Sequence, residues 1–290
     1  MPEQKQGNEK VSATAWTIAY RRTFTDIPYS QAIFDEFERI RRAAGEPEIP
    51  DEFKSPQVTP QIEARYKLVS KLIKEKFPQQ VLEIAAGLSP RGLETTGNPD
   101  IEYVEVDLPG IISQKRKIVD AIKPQTNLHL EIGNALSLES LQTAVSYLDR
   151  AKPLVIVNEG LLRYLSFKEK AVVARNIHFL LSQFGGVWIT PDITLANIIK
   201  VENSVTQNQT EKAHALVGTN VENNSFESIE KAQEFFENLG FTVERHSFME
   251  VIDELVSPKR LGQTQQEVGA LLKDPCVFVM RIKSTPVAGE

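Results

Sequence analysis

The stretch VLEIAAGLSPRGLETTGNPDIEYVEVDLP, residues 81–109, decides the fold. It begins with an apolar run typical of a strand buried on both faces, and a turn containing Gly87 follows. A second strand-like run, 103–106, ends at Asp107. This order of strand, glycine turn, helix start, second strand and acid builds a pocket for an adenosine-bearing cofactor at the carboxyl edge of a parallel sheet. We expect Asp107 to accept hydrogen bonds from both ribose hydroxyls.

The spacing of the glycine turn separates two classes of cofactor. A dinucleotide fold places a third glycine three residues after the second, where a helix N-terminus meets the pyrophosphate. Here that position holds Pro90, which has no N–H to donate. Glu83 suits the cationic tail of S-adenosylmethionine (SAM) and not a pyrophosphate. The residues favour SAM over NAD(P), and an ordinary strand–turn–helix connection is the structural alternative.

The composition is that of a soluble globular protein. The 290 residues are 41% hydrophobic and 25% charged, and the net charge is -6 without a dense basic run, which argues against nucleic-acid binding. The single cysteine, Cys276, allows no internal disulfide and no cysteine-based zinc cluster. The polar N-terminus and the lack of a long apolar window predict neither a signal peptide nor a membrane span. We therefore expect a cytoplasmic protein.

Strands and helices alternate from residue 80 to residue 190. A capping box at Ser166 and Glu169 opens one of these helices, and a last unit combines a helix over 226–239 with strands over 241–247 and 275–283. The pattern predicts an α/β fold: a seven-stranded, mostly parallel, Rossmann-like sheet with helices on both faces and a closing antiparallel strand.

Two parts of the chain lie outside this alternation. Residues 1–63 combine a polar start, which we expect to be disordered, with a helical pattern and then several prolines. They predict an N-terminal helical cap on a core over 64–290. Residues 192–224 are polar with no strong period, and we interpret them as a lid inserted into the core. Residues 256–273 are expected to be a polar connection.

Polar residues follow the successive predicted strands. Ligands bind at the carboxyl ends of strands in open α/β sheets, so these residues are candidates for cofactor binding. Glu159 would meet the ammonium of the methionine moiety, Asn134 the adenine edge, and Arg91 a carboxylate of the cofactor or the acceptor. The full set of candidates is Glu83, Gly87, Arg91, Asp107, Asn134, Ala135 and Glu159.

Three further residues are candidates for positioning the methyl acceptor: Arg21 in the cap, and Arg163 and Tyr164 just beyond the fourth strand. Arginine suits an anionic acceptor because its planar fork matches a carboxylate. The four histidines show no metal-ligand spacing, so no metal site is predicted. His214, in the predicted lid, is the one histidine that we would test as a base.

With these residues placed, the chain resembles the leucine carboxyl methyltransferase family, which includes small-molecule O-methyltransferases linked to polyketide biosynthesis. The similar segments are SATAWTIAYRR (12–22), VLEIAAGLSPRG (81–92), VEVDLPGIISQK (104–115) and NEGLLRYL (158–165). Gly87, Arg91, Asp107, Lys115 and Glu159 match family positions. Ala85 stands where the family usually has glycine, Ser89-Pro90 replaces Asp-Thr, and Asn134 falls where aspartate is common.

The resemblance implies a class I SAM-dependent methyltransferase with a helical cap. A SAM-dependent O-methyltransferase acting on a carboxylate or acidic hydroxyl of a small molecule is the function that we expect. The sulfonium already activates the methyl group, and a carboxylate is ionised at neutral pH, so neither a metal nor a base is required. The alternatives are an NAD(P)-dependent oxidoreductase and a non-catalytic SAM-binding scaffold.

Overall fold

A computed structural model of the chain describes residues 15–205 and 221–283. The strands are β1 (Gln80–Ile84), β2 (Glu102–Asp107), β3 (Leu128–Ile132), β4 (Leu154–Asn158), β5 (Gly186–Thr190), β6 (Phe241–Ser247) and β7 (Cys276–Ile282). They form one seven-stranded sheet in the order β3-β2-β1-β4-β5-β7-β6. The first five strands are parallel, and β7 runs antiparallel to β5 and β6. The predicted sheet with its antiparallel closing strand is confirmed.

Helices cover both faces of the sheet. They are α1 (15–22), α2 (Ser30–Ala43), α3 (Thr59–Lys74), α4 (Arg91–Thr95), α5 (Pro109–Ile122), α6 (Leu138–Ala144), α7 (Phe167–Phe184), α8 (Ala196–Val205), α9 (Ile229–Glu237), α10 (Ser257–Leu261) and α11 (Gln265–Leu272). Alternate residues of β1 join different core clusters, Val81 on one face and Leu82 on the other. Because both faces are buried, the central strands carry no polar face.

The strand order reverses between β1 and β4, and this reversal positions the candidate site. From β1 the chain builds outward through β2 and β3, whereas β4 and β5 extend the sheet in the other direction. Such a switch point leaves a crevice at the carboxyl ends of the two central strands. Gly87, Asp107 and Glu159 follow or end β1, β2 and β4, so the topology places them at one edge.

Two segments that were expected to be irregular contain helices. The expectation is wrong for α8, where Ile198, Ile199 and Glu202 are buried at helical spacing. It is also wrong for residues 256–273, which hold α10 and α11; a capping box at Thr264 and Glu267 opens α11. In both segments, polar exposed positions between the buried ones hid the helical period.

The expected domain division falls inside a helix. The boundary between residues 63 and 64 lies within α3, so the predicted cap and core share this helix. Residues 1–14 of the predicted cap and 206–220 of the predicted lid, with His214, lie outside the described residues. Within the described residues, no helix is long and apolar enough to cross a membrane, and no group of acids, histidines and cysteines could hold a metal ion.

A buried ion pair joins β2 to α5. The carboxylate of Glu105 is fully buried against the ammonium of Lys115, whose side chain is 3% exposed. Gly92 leaves room for this pair, because a Cβ there would lie 2.2 Å from Oε1 of Glu105. Burial raises the pKa of Glu105 above its usual value, while Lys115 opposes that rise. The pair therefore lies between β2 and the start of α4, two residues before Asp107.

Candidate active site

A pocket of about 320 Å³ opens at the carboxyl edge of the sheet. We call it the strand-edge pocket; its lining includes residues 85–88, Asp107, Glu159, Arg22, Arg65 and Tyr164. The sheet turns supply one wall, and α1 and α3 supply the other. The first five strands end at this edge, and the predicted residues Gly87, Asp107, Glu159, Arg163 and Tyr164 all meet there.

The glycine turn is held against the end of β2. The N–H of Gly87 donates to Oδ2 of Asp107 at 2.7 Å, and the N–H of Ala86 donates to the carbonyl of Val106 at 3.3 Å. Gly87 has φ +52°, and nothing lies within 4 Å of the position that a Cβ would take. A ligand can therefore approach the backbone closely at this point.

Ala85 carries a strained backbone at the start of this turn. Its φ is +55°, a left-handed conformation that costs an L-residue roughly 1–2 kcal/mol. Glycine avoids that cost but loses roughly 0.5–1 kcal/mol of chain entropy on folding. We expect Ala85→Gly to stabilise the protein by about 0.5–1 kcal/mol in urea denaturation. Ala86→Gly, at a position without a positive φ, is the control and should destabilise; equal effects would contradict this account.

Asp107 binds two backbone donors with its two oxygens. Oδ2 accepts from Gly87, and Oδ1 accepts from the N–H of Leu108 at 2.7 Å. Burial raises the pKa of Asp107 above its usual value, although both backbone donors act to lower it. A carboxylate has about four acceptor positions, so lone pairs remain for further donors on the pocket side.

Glu159 is surrounded by three arginines. Its Oε1 accepts from Arg22 and from Arg65 at 3.0 Å each, and its Oε2 accepts from Arg91 at 2.7 Å. The Glu159 side chain is 3% exposed. Burial alone would raise its pKa, but the three guanidinium groups hold the pKa well below the usual range. Glu159 is therefore an anion at the junction of α1, α3 and the sheet.

Arg91 and Glu83 lie behind the pocket and do not line it. Arg91 is fully buried, and it donates to Oε1 of Glu83 at 2.5 Å as well as to Glu159. The second oxygen of Glu83 accepts from the hydroxyl of Tyr103 at 2.8 Å. The guanidinium of Arg91 also stacks over the ring of Tyr66, 4.5 Å from its centroid. This arrangement supports Glu159 from beneath.

Asn134 and Ala135 lie beside the pocket, beyond β2. The N–H of Gly133 donates to the carbonyl of Asp107 at 2.9 Å, which holds this segment against the end of β2. Asn134 is exposed, and its Oδ1 accepts from the N–H of Leu136 at 2.9 Å. Its side-chain N–H₂ faces solvent and is available to a ligand at this end of the sheet.

A second, narrower cavity of about 80 Å³ adjoins the strand-edge pocket. We call it the inner cavity; its polar lining includes Arg21, Arg65, Arg163, Tyr164, Asp192 and Glu202. Arg65, Arg163 and Tyr164 also line the strand-edge pocket, so the two spaces share a wall. The remaining lining is largely apolar, with Phe53, Ile62 and Ile198 among its members.

Arg21 and Arg163 differ in their partners within the inner cavity. Arg163 donates to Oε2 of Glu202 at 2.9 Å, and this carboxylate raises the pKa of Arg163 although burial acts to lower it. Arg21 is 5% exposed, and its Nε donates to the carbonyl of Ser55 at 2.9 Å. Among the described residues no carboxylate oxygen lies within 4.0 Å of Arg21, although Glu202 is close enough to act on its charge. Burial lowers its pKa to about 10, so it remains a cation at neutral pH.

Sequence reasoning missed three residues of this site: Arg65, Asp192 and Glu202. Arg22, the neighbour of Arg21 in the predicted cap, is 5% exposed and also belongs to the site. Asp192 follows β5 by two residues, so the rule of strand ends that found Glu159 would have found it as well. Arg65 and Glu202 reach the site from α3 and α8, and no sequence pattern marks those positions.

A family model for leucine carboxyl methyltransferases matches residues 13–178, which is more than half of the chain. The chain belongs to this family. It is a SAM-dependent methyltransferase, and SAM is its cofactor. Membership in a SAM-dependent family removes the ground for the dinucleotide alternative.

Solved structures agree with this fold. A candidate methyltransferase from Thermobifida fusca has 14% identity and a TM-score of 0.55, with 92% of this chain and 94% of that chain covered. A DUF574 family protein from Streptomyces avermitilis has 13% identity and a TM-score of 0.53, with 92% and 97% covered. At these identities the likeness shows the fold alone. No curated protein matches the chain.

Proposed function

We propose that the protein transfers the SAM methyl group to an oxygen of a small organic acid, either a carboxylate or an acidic hydroxyl. The observation that carries this proposal is the buried guanidinium of Arg21 in the inner cavity. Arg65 pairs with Glu159 and Arg163 pairs with Glu202, whereas Arg21 donates to a carbonyl and has only the nearby carboxylate of Glu202 to oppose its burial. Two buried guanidinium groups thus depend on one carboxylate. An anionic acceptor would supply a second anion, and such charge-assisted contacts are strong when buried.

The strand-edge pocket fits the parts of SAM. We assign the ribose hydroxyls to Asp107, which retains free lone pairs, and the ammonium to Glu159. The cofactor carboxylate would then meet Arg22 and Arg65, which already reach Glu159 from the helices. Arg91 and Glu83 support Glu159 from behind. Asn134 and Ala135 lie where the adenine edge would extend beyond Asp107.

Methyl transfer from SAM to an ionised oxygen requires few catalytic groups from the side chains. Bound SAM supplies a methyl group that its sulfonium activates. The chain aligns the acceptor oxygen and excludes water, and such alignment can lower a barrier by roughly 7–11 kcal/mol. An ionised carboxylate needs no base, and no histidine is found among the described residues of the inner cavity. Burial raises the pKa of Tyr164, so its phenol stays protonated at neutral pH and can orient the acceptor.

We also propose that residues 1–63 and 192–224 act together as a cap over the site. Side chains of α1 line the strand-edge pocket, and α8 contributes Glu202 to the inner cavity. A cap would exclude water and fix the acceptor. Limited proteolysis with and without S-adenosylhomocysteine (SAH) plus acceptor tests this proposal: both segments should be protected by the ligands, and unchanged cleavage in both would argue against a cap.

The proposed reaction is tested by screening small carboxylic acids, phenols and short peptides with labelled SAM, with and without EDTA. We expect methyl esters or ethers of small acids whose formation EDTA does not affect. Methylation of nitrogen or carbon alone, or activity abolished by EDTA, would contradict the proposal. Binding of SAM without turnover on any acceptor would favour the scaffold alternative. A link to polyketide biosynthesis stays a prediction, and products from that class belong in the screen.

Arg21→Leu is expected to impair acceptor binding and leave cofactor binding intact. Removing this buried cation should raise the KM of an anionic acceptor by roughly 10–100-fold, since hydrogen bonds to charged groups contribute about 1.5–3 kcal/mol. The affinity for SAH should change little, because Arg21 does not line the strand-edge pocket. Steady-state kinetics and calorimetry measure the two effects. Arg42→Leu, at an exposed position of α2, is the control; an unchanged KM in Arg21→Leu would refute this role.

Asp107→Ala is expected to weaken SAH binding by roughly 2–4 kcal/mol. The variant loses two ribose hydrogen bonds, each contributing about 1–2 kcal/mol when buried, and it also releases the N–H of Gly87. Titration calorimetry provides the measurement. Asp120→Ala removes an exposed carboxylate of α5 and should bind SAH like the wild type. Equal affinities for all three proteins would exclude Asp107 as the ribose ligand.

A further inference from the structure

The buried carboxylate of Asp192 holds a turn whose residues lead to both the strand-edge pocket and the inner cavity. It lies just beyond β5 and is 3% exposed. Its Oδ1 accepts from the N–H of Gly160 at 2.7 Å, and its Oδ2 accepts from the N–H groups of Leu161 at 2.7 Å and Leu162 at 3.0 Å. Oδ2 also accepts from Nδ2 of Asn158 at 2.7 Å. Four donors therefore converge on one carboxylate.

The three backbone donors are successive residues of the turn that follows β4. Gly160 has φ +84°, a conformation that turns its N–H toward the same side as the next two. Successive N–H groups in such a turn form an anion-binding concavity, which Asp192 occupies. Asn158 extends the connection into the core, because its Oδ1 accepts from Nε1 of Trp188 at 2.7 Å.

The turn carries the residues that we assign to both ligands. Glu159 precedes its first donor, and the 3₁₀ segment Leu162–Tyr164 begins at its last donor. That segment contains Arg163 and Tyr164, which line both the strand-edge pocket and the inner cavity. Asp192 itself lines the inner cavity. One carboxylate thus holds the backbone between Glu159, which we assign to the cofactor, and Arg163 and Tyr164, which we assign to the acceptor.

We propose that Asp192 is a positioning residue for methyl transfer: by holding the turn over Gly160–Leu162 it sets Glu159 against the amino-acid tail of the cofactor. The proposal rests on the proposed function, because it takes Glu159 as the ligand of the ammonium. Asp192 touches neither SAM nor acceptor in this role. Replacing Asp192 should therefore weaken only those ligands that carry an amino-acid tail for Glu159 to bind.

The test compares two ligands that share the adenosine group. SAH carries the amino-acid tail, whereas 5′-methylthioadenosine lacks it. We expect Asp192→Asn to weaken SAH binding at least tenfold and to leave methylthioadenosine binding within about twofold in calorimetry, since the amide loses acceptor capacity toward the turn. Glu63→Gln is the matched control. Its carboxylate is also buried and accepts backbone N–H groups, from Val256 and Ser257, away from both cavities.

A second variant covers the case in which Asp192→Asn does not fold. Gly160→Ala strains the turn without removing any charge, and no neighbour lies within 4 Å of the added Cβ. Its control is Gly262→Ala, with φ +66° and equally open space at the end of α10. Gly160→Ala should reproduce the selective loss of SAH affinity, and Gly262→Ala should not.

The outcomes separate this inference from the proposed function. A wild type that binds SAH no better than methylthioadenosine overturns the assignment of Glu159, and the role of Asp192 falls with it. A wild type that prefers SAH, with Asp192→Asn or Gly160→Ala keeping that preference, overturns the role of Asp192 alone. Equal weakening of both ligands shows a general loss of structure and also contradicts positioning. Selective loss of SAH binding supports the proposal.

Discussion

Glu159→Gln should lose both cofactor affinity and stability. A neutral amide cannot ion-pair with the cofactor ammonium, so SAH should bind roughly 10–100-fold more weakly, corresponding to about 1.5–3 kcal/mol for a hydrogen bond to a charged group. The same change leaves three buried guanidinium groups with one carboxylate, Glu83, among them. Removing one partner of a buried pair typically costs about 3–5 kcal/mol of stability. Calorimetry with SAH and denaturant unfolding measure the two losses.

The stability difference between the wild type and Glu159→Gln should depend on pH in a defined direction. The pKa of Glu159 is held below its usual value in the folded protein, so its contribution to stability is present above the unfolded pKa of about 4.3 and is lost as pH falls through the folded pKa. The stability advantage of the wild type over Glu159→Gln should therefore shrink below about pH 4.3. Glu267→Gln removes an exposed capping carboxylate and should leave SAH binding unchanged. Wild-type affinity in Glu159→Gln would contradict the role of Glu159.

Lys115→Met should destabilise the fold by about 3–5 kcal/mol, because it leaves the carboxylate of Glu105 buried without its cation. Glu105 would respond by taking up a proton. Its folded pKa, already raised by burial, would rise further above the unfolded value. A raised pKa favours folding at low pH, and this contribution is lost as pH rises through the folded value. The deficit of Lys115→Met relative to the wild type should thus be smaller at pH 5 than at pH 8.

Two further variants test this interpretation of the pair. Lys117→Met changes the same helix at an exposed position and should have little effect on the unfolding midpoint. Glu105→Gln combined with Lys115→Met removes both charges and should recover much of the loss, since replacing a whole buried pair is far less costly than breaking it. A Lys115→Met protein as stable as the wild type at pH 8 would show that the pair does not stabilise the fold.

The sequence predicted the sheet and one edge of the site for a physical reason. Buried parallel strands are continuous apolar runs, and their carboxyl ends meet at one edge, so Asp107 and Glu159 could be placed together without knowing any contact. The same rule extends to Asp192 after β5. It carries no information on helices, and this is why Arg65 and Glu202 were missed.

The direction of individual side chains was a second feature that could not be predicted from the sequence. Glu83 was expected to face the cofactor because it lies in β1, but residues of a strand alternate in direction, and its side chain turns to Arg91 and Tyr103 behind the pocket. Its charge acts on the site through Arg91. The helix α8 was missed because residues 192–224 were taken as one polar, Asn-rich unit, within which the short apolar stretch around Ile198 is a minor part.

A crystal structure of the SAH complex tests the central claim most directly. The account predicts the ribose hydroxyl oxygens within about 3.2 Å of the Asp107 carboxylate and the ammonium of the tail at the same distance from Glu159. It also predicts that the sulfur faces the shared wall of the two cavities at Tyr164. SAH bound with its ribose away from Asp107, or with its tail directed away from Glu159, would contradict the assignment of this site.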